Sequence, residues 1–312
     1  MWKRCVFLVL AVVLLGAPAM AAPLHKDLAT AWKGQTNLVE GREFKFLVDP
    51  AKVNPDMAKA FKEIWDKAKA VAAKQGIQIT EREKKPFALT PTVKTFYDTE
   101  DMQLWKAGYL IRTTVNYKKG YPSSELRVMI KRINQPAKTI LASKMSASKE
   151  AYKAKCSIED NIGINADGTL YSYLEQGLSF REERGALGDL QLADFGKYAP
   201  FLLKLGIPAT ARLVPHPAFG TRCRPGFIAL PGLDKPVAVS MEAWARSDGG
   251  KPFVYDYSYG YDGDFDKMTV THVAAEDFLT ALYRDLGPSM GFDDAAKWGG
   301  SKVRVLLQQP RK

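Results

Sequence analysis

Several short segments of this chain that are rich in β-branched and aromatic residues carry charged side chains, and where a segment has two of them they lie two or four residues apart. Residues two apart on a strand point the same way, so each such segment has one charged face. The charged positions are Glu43 and Lys45, Arg112, Arg127 and Lys131, and Lys155 and Glu159. Basic groups bind phosphate oxygens through charge-assisted hydrogen bonds, and carboxylates can hold Mg²⁺ or Mn²⁺ against those oxygens. The pattern indicates a polyphosphate site whose acids could hold a metal.

The opposite faces of these segments are apolar, and this limits where the charges can lie. Phe44 and Phe46 alternate with the first charged pair, and Val128 and Ile130 alternate with a later one. An apolar face must pack on helices or a core, which leaves the charged face in solvent or inside a barrel. A single amphipathic strand usually has a solvated face, but four in succession favour a polar barrel interior.

Alternation and turn residues predict that strands dominate the chain. The predicted strands are 41–49, 77–82, 93–99, 108–117, 125–133, 153–162, 211–216, 221–230, 236–246, 252–261 and 301–307. A helix is predicted after an N-cap at Asn54, with an apolar stripe that ends before Gly76, and another over 274–287, while 171–192 is polar and favours helix. The predicted fold class is therefore α+β, an antiparallel β-barrel with helices packed outside.

The first residues have the composition of a secretory signal peptide. Lys3 and Arg4 precede an apolar run, and small residues predict cleavage after Ala21. Because the run is short for the roughly 20 apolar residues of a spanning helix, we expect a periplasmic or secreted protein with no transmembrane segment after processing. The predicted divisions are a signal peptide (1–21), a leader (22–39), a barrel domain (40–290) and a C-terminal extension (291–312).

The formal net charge of +11 favours anionic partners. The sequence lacks GxxxxGK[ST], GxGxxG and GxSxG, the common nucleotide and hydrolase signatures, and its three histidines are isolated. Nucleic acid is a poor candidate, because we find no exposed aromatic pattern on which bases could stack. The expected partner is an anionic small molecule or a polyphosphate, and the oligomeric state stays open.

Two cysteines, Cys156 and Cys223, follow the predicted signal peptide. An oxidising compartment permits a disulfide between them, worth about 4 kcal/mol for a loop of this length. Two separate buried thiols are the alternative. A metal site is disfavoured, because neither cysteine has another Cys or a His at ligand spacing.

The segment FYDTEDMQLWKAGYLIR, residues 96–112, resembles the YxDTxDxxLxxxGxxLRxR signature of the CYTH, or triphosphate tunnel metalloenzyme, superfamily. Other segments follow in the order of that superfamily. Residues 41–48 resemble its N-terminal ExExK strand, 129–131 its TLK strand, and 155–159 its RxExE strand. The resemblance covers residues 40–160 and continues loosely to about residue 287.

This resemblance implies an antiparallel β-tunnel that binds triphosphate-containing ligands. The activities it implies are inorganic, thiamine or RNA triphosphatase and adenylate cyclase. The implied site residues are Glu43 and Lys45 for catalysis, Lys45, Arg112, Arg127, Lys131 and Lys155 for phosphate, and Glu43, Glu159 and Glu242 for Mg²⁺ or Mn²⁺. Glu242 enters as a further acid, since the late ExE strand of the superfamily is matched only by 254–258.

Three positions depart from the signature: Gly41 replaces the first Glu, Thr114 the second Arg, and Ser157 the middle Glu of RxExE. The losses weaken a metal site more than a phosphate site. Two hypotheses therefore stand side by side. One is a periplasmic metal-dependent phosphohydrolase, and the other is a non-catalytic binding or structural envelope protein with the same barrel.

Overall fold

The computed structural model describes residues 38–188, 190–263 and 265–311. The predicted signal peptide and the leader up to residue 37 lie outside the described residues. Within the described part, nine strands form a closed barrel with helices outside, so the predicted fold class is confirmed. In order around the barrel the strands are β1 (Gly41–Val48), β12 (Pro252–Asp262), β11 (Ser240–Ala245), β8 (Val214–Cys223), β3 (Thr90–Asp98), β4 (Tyr109–Lys118), β5 (Tyr121–Arg132), β7 (Leu170–Glu183) and β6 (Tyr152–Ile164).

The barrel is mixed rather than purely antiparallel. Eight neighbouring pairs are antiparallel, and β1 and β6 close the barrel as a parallel pair. A separate three-stranded sheet consists of β2 (Gln78–Glu81), β9 (Gly226–Ala229) and β10 (Val237–Ala238). The single parallel pair follows from the odd number of strands, because a closed ring of nine cannot alternate direction at every step.

Helices cover the outer, apolar faces of the strands and one end of the barrel. They are α1 (Met57–Lys74), α2 (Gln103–Lys106), α3 (Ala137–Ala142), α4 (Leu192–Gly196), α5 (Thr269–Met290), α6 (Ala295–Trp298) and α7 (Lys302–Leu307). The outward aromatic residues of β1 and β12 pack beneath α5, where Phe44 stacks on Tyr259 at 5.0 Å between ring centroids and Phe278 contacts Tyr259 at 5.3 Å. This packing leaves the alternate, charged positions of the same strands inside the barrel. No helix in the described part of the chain has both the length and the apolar character needed to cross a membrane.

Two elements differ from the sequence prediction. Residues 171–192 were expected to favour helix, but most of them form β7, in which Leu174, Leu178 and Phe180 are buried on the outer face. The inward positions of β7 carry tyrosine, glutamate, glycine and serine rather than a clear series of charges, and this weakened the strand signal. Residues 301–307 were expected to form a strand but contain helix α7, whose Val305 and Leu306 pack in an apolar cluster at one end of the barrel.

The predicted disulfide is not formed, because Cys156 and Cys223 are both free thiols. Cys156 is on β6 and Cys223 is on β8, and at least three strands separate them in either direction around the barrel. Cys223 is fully buried in the outer core beside α1, while Cys156 packs on a different apolar cluster. The alternative of two separate thiols therefore describes this structure.

Candidate functional site

The registers of the strands bring most of the predicted charges into the barrel interior. Lys131 pairs with Leu110, two residues before Arg112 on β4, and Glu43 lies across from Asn161 in the parallel seam. Lys45, Arg112 and Lys131 line one cavity of about 180 Å³ together with Glu43 and Glu242. We call this space the lumen cavity. Its lining residues are Glu43, Lys45, Lys94, Trp105, Leu110, Arg112, Lys131, Ile133, Asn134, Asn161, Tyr173, Glu175, Glu242, Trp244, Ser301, Lys302, Val303 and Arg304.

Several charged residues of the lumen cavity were missed from the sequence. Lys94 lies on the inner face of β3, whereas Tyr97 packs on the outer face of that strand, so the alternation of the strand could have revealed it. Glu175 belongs to β7, which was expected to favour helix. Lys302 and Arg304 enter from α7 at the barrel end, where no strand periodicity could indicate them.

Lys131 is the centre of one ion-pair group in the lumen. Its Nζ lies 2.6 Å from an oxygen of Glu175 and 3.7 Å from an oxygen of Glu159. Burial disfavours the charge on Lys131, but the two carboxylates outweigh that effect and raise its pKa above the usual range. Asn161 donates from Nδ2 to the same Glu175 at 3.4 Å.

Lys45 and Glu43 form a second pair, with 2.6 Å between Nζ and the carboxylate. Lys45 also donates to Oδ1 of Asn161 at 3.2 Å. Burial alone would raise the pKa of Glu43, but Lys45 more than compensates, so the pKa is lowered. Glu43 is therefore a charged partner of a lysine in this arrangement.

Glu242 lies at the centre of the third and most enclosed group. It is bonded to Lys94, and its other oxygen is 2.9 Å from Nζ of Lys302. Lys302 also contacts Asp256 at 2.7 Å, and Asp256 accepts the backbone N–H of Glu242 at 3.0 Å. Burial opposes the charge on Glu242, but the two lysines hold its pKa far below the usual range. Burial raises the pKa of Asp256.

Arg112 differs from the lysines because no carboxylate among the described residues accepts a hydrogen bond from it. In the described part of the chain its Nη2 contacts Met129 Sδ at 3.2 Å, and its buried Nε has no hydrogen-bond partner. Burial, with the charge of Arg127, lowers its pKa from the ordinary value. A guanidinium remains charged even so, and Arg112 therefore presents unused donors to the lumen.

Two predicted phosphate contacts and one predicted acid lie outside the lumen cavity. Arg127 is exposed on the inner face of β5 nearer the opposite mouth of the barrel. Lys155 is also exposed and lies 3.3 Å from Glu40. Glu159 lines a neighbouring opening that shares Glu43 with the lumen cavity. The phosphate-binding residues predicted from the sequence therefore divide into an enclosed group and an exposed group.

The predicted metal ligands do not fit a divalent ion as they are placed here. Glu43, Glu159 and Glu242 each have a lysine within 4 Å. Among the residues described, no group of three or more His, Cys, Asp or Glu side chains is arranged to hold a metal ion. A metal would have to displace ammonium groups that already neutralise these carboxylates.

The segment 96–112 is a scaffold for the mouth of the lumen cavity. The carboxylate of Asp98 accepts the backbone N–H groups of Thr99, Leu104 and Trp105, each at 2.8 Å. These bonds hold the short helix α2, which sets Trp105 at the cavity wall. The guanidinium of Arg304 lies 5.3 Å from the Trp105 ring centroid.

No family model matches this chain, and no curated protein matches it. Solved structures similar to it include HpAC1 from Hippeastrum, described as an adenylyl cyclase candidate with a dominant triphosphatase activity, at 10% identity and a TM-score of 0.43 over 88% of this chain and 98% of that one. The PH1819 protein from Pyrococcus horikoshii shares 13% identity at a TM-score of 0.35 over 85% and 98% of the two chains. An adenylate cyclase candidate from Bacillus halodurans shares 14% identity at a TM-score of 0.37 over 86% and 96%.

The class defined by this molecule's own geometry is a closed β-barrel with a charged lumen and helices outside. This is the fold that the resemblance to the triphosphate tunnel superfamily implied, so the resemblance is confirmed at the level of the fold. Glu43, Arg112, Lys131 and Glu159 are all on inward-facing strand positions, as that fold requires.

Proposed function

We propose that the barrel binds a compact anion of the polyphosphate class in the lumen cavity, and that binding rather than hydrolysis is its function. The supporting observation is an imbalance of charge. Of the described residues that line the cavity, six carry a cationic side chain and three carry a carboxylate, and Glu159 and Asp256 pair with two of its lysines. Cations remain in excess when these two acids are included, and in an enclosed space of low effective dielectric an excess of positive charge attracts an anion.

Arg112 supplies the donors for that anion. Among the described residues no carboxylate accepts a hydrogen bond from its guanidinium, so an incoming phosphate displaces only the weak contact of Nη2 with Met129 Sδ. A planar guanidinium can bind two phosphate oxygens at once, and the buried Nε gains the acceptor that it lacks. Lys45 and Lys131 flank this position from β1 and β5 and can each turn one further N–H towards the ligand.

Hydrolysis with Mg²⁺ or Mn²⁺ is the activity that the resemblance implies, but the residues present favour binding alone. A hydrolytic centre of that kind needs carboxylates that are available to a metal. Glu43 and Glu242 are instead paired with lysines in the lumen. We further propose, from the predicted signal peptide, that the protein binds the anion outside the cytoplasm.

The test is calorimetric titration of the purified protein with inorganic tripolyphosphate, with pyrophosphate and sulfate as smaller anions. Arg112→Gln is expected to weaken tripolyphosphate binding by about tenfold or more, because hydrogen bonds to charged groups are worth about 1.5–3 kcal/mol. Arg284→Gln, on the exposed face of α5, is the matched control and should bind as the wild type does. Equal affinities of the two variants would exclude the lumen as the site.

A phosphate-release assay on the same protein separates binding from hydrolysis. We expect no release from tripolyphosphate with Mg²⁺, with Mn²⁺ or without added metal. Metal-dependent release that Glu43→Gln abolishes would instead support the phosphohydrolase hypothesis.

A further inference from the structure

We propose that Lys302 serves as a built-in cation in the lumen, occupying with its ammonium group the carboxylate pair of Glu242 and Asp256 that could otherwise bind a divalent metal. The anion site would then work without metal, a consequence that rests on the proposed function. Whether Lys302 keeps a divalent metal away from these two carboxylates can be tested without any anion.

The carboxylates of Glu242 and Asp256 face the lumen from neighbouring strands. The two residues are register partners on β11 and β12, and they are only 7% and 1% exposed. Two negative charges so close together in a buried place repel each other and require a counter-charge. Two carboxylates on adjacent strands can also supply oxygen ligands to a hard divalent cation.

The counter-charge comes from lysine side chains. Nζ of Lys302 lies 2.7 Å from Asp256 and 2.9 Å from Glu242, and it therefore bridges both acids. Lys94 approaches the other oxygen of Glu242 from β3. Two carboxylates and two ammonium groups balance, so a divalent ion entering here would create a local excess of positive charge.

The chain delivers Lys302 to this position through a specific turn. Gly299 and Gly300 have φ values of +54° and +79°, a backbone conformation that glycine adopts without steric cost, and Ser301 then caps α7. Lys302 is the first residue of that helix and is 9% exposed, with Nζ 5.0 Å from the Trp244 ring centroid. The burial of Val305 and Leu306 holds the helix against the barrel end.

A Mn²⁺ titration followed by electron paramagnetic resonance tests the proposal. The wild-type protein is expected to show no Mn²⁺ bound in the lumen. Lys302→Met shortens the unbranched side chain by one atom and removes the charge, and the variant should bind one Mn²⁺ at least tenfold more tightly than the wild type. Adding Glu242→Gln to that variant should abolish the gain, and Lys302→Arg, which restores a cation, should show none.

The outcomes distinguish this proposal from a purely structural role for Lys302. A wild-type protein that binds Mn²⁺, with the binding lost on Glu242→Gln, would overturn it. So would a folded Lys302→Met variant that binds none. Lys302→Gln repeats the test if the methionine variant does not fold. Tripolyphosphate binding enters only as a separate measurement, in which a metal chelator should leave the wild-type affinity unchanged.

Discussion

Lys94 illustrates how, at the scale of single residues, the lumen sets the charge of its own side chains. Burial lowers the pKa of Lys94 to about 8, and the attraction of Glu242 only partly offsets this effect. Lys302 from α7 and Arg112 from β4 face the same ammonium group and lower its pKa further. Lys94 therefore exchanges its proton in a range where binding can be measured.

Anion affinity should consequently fall as the pH rises through about 8. The bound anion favours protonated Lys94, so above that pH each binding event must take up a proton, and the affinity should fall by up to about tenfold per pH unit. Calorimetry in two buffers of different ionisation enthalpy measures this uptake directly. Lys94→Arg keeps the positive charge throughout and is the control.

The ionisation of the ligand itself affects both proteins equally, so the difference between their pH profiles isolates Lys94. Parallel profiles from about pH 7 to about pH 9.5 would show that Lys94 does not contribute to the site.

At the scale of elements, the turn between β3 and β4 determines the shape of the cavity mouth. Asp98 is 2% exposed and accepts hydrogen bonds from three backbone N–H groups, two of them in α2. Asp98→Ala should lower the free energy of unfolding by about 2–3 kcal/mol, because buried donors would lose their acceptor. Urea denaturation measures the change.

Asp101→Ala is the comparison for this prediction. The carboxylate of Asp101 lies in the same turn but is exposed and bonds the side chains of Thr99 and Gln103. We expect little change in stability from it. A loss for Asp98→Ala no larger than that for Asp101→Ala would contradict the scaffold role.

The elements also show why the sequence revealed part of the site. Glu43, Lys45, Arg112 and Lys131 could be predicted, because strand periodicity and an apolar opposite face place each of them without knowledge of distant contacts. Lys302 could not be predicted, because no periodicity in its own segment indicates that it faces the lumen. Its position depends on how α7 docks on the barrel end. Such docking is decided by tertiary packing.

The same limit applies to the metal prediction. The resemblance identified carboxylates on the correct face of β1, β6 and β11, and the structure places them there. Their charge state in the folded molecule depends on lysines from other elements, among them Lys94 and Lys302. The carboxylates that could bind a metal can be predicted from the sequence of one strand. Whether lysines already pair with those carboxylates depends on the assembled barrel.

At the scale of the whole molecule, barrel closure depends on a short parallel seam. Only the first half of β1 pairs with β6, from Gly41 with Glu159 to Phe44 with Ile162. On the outer side of this seam Arg42 is 2% exposed, and its guanidinium lies 2.5 Å from Asp160 and 2.7 Å from Glu276 of α5. One buried side chain therefore joins β1, β6 and the longest helix.

Asp160→Ala should lower the free energy of unfolding by about 3–5 kcal/mol, because it removes the nearest counter-charge of a buried guanidinium. Asp285→Ala, at an exposed ion pair on α5, should change it little. Replacing both charges, as in Arg42→Met with Asp160→Leu, should recover much of the loss, since an apolar pair needs no counter-charge. Hydrogen exchange should show β1 and β6 opening first in the single variant. A large loss of stability that leaves the protection of these two strands unchanged would contradict a role for this ion pair in closing the barrel.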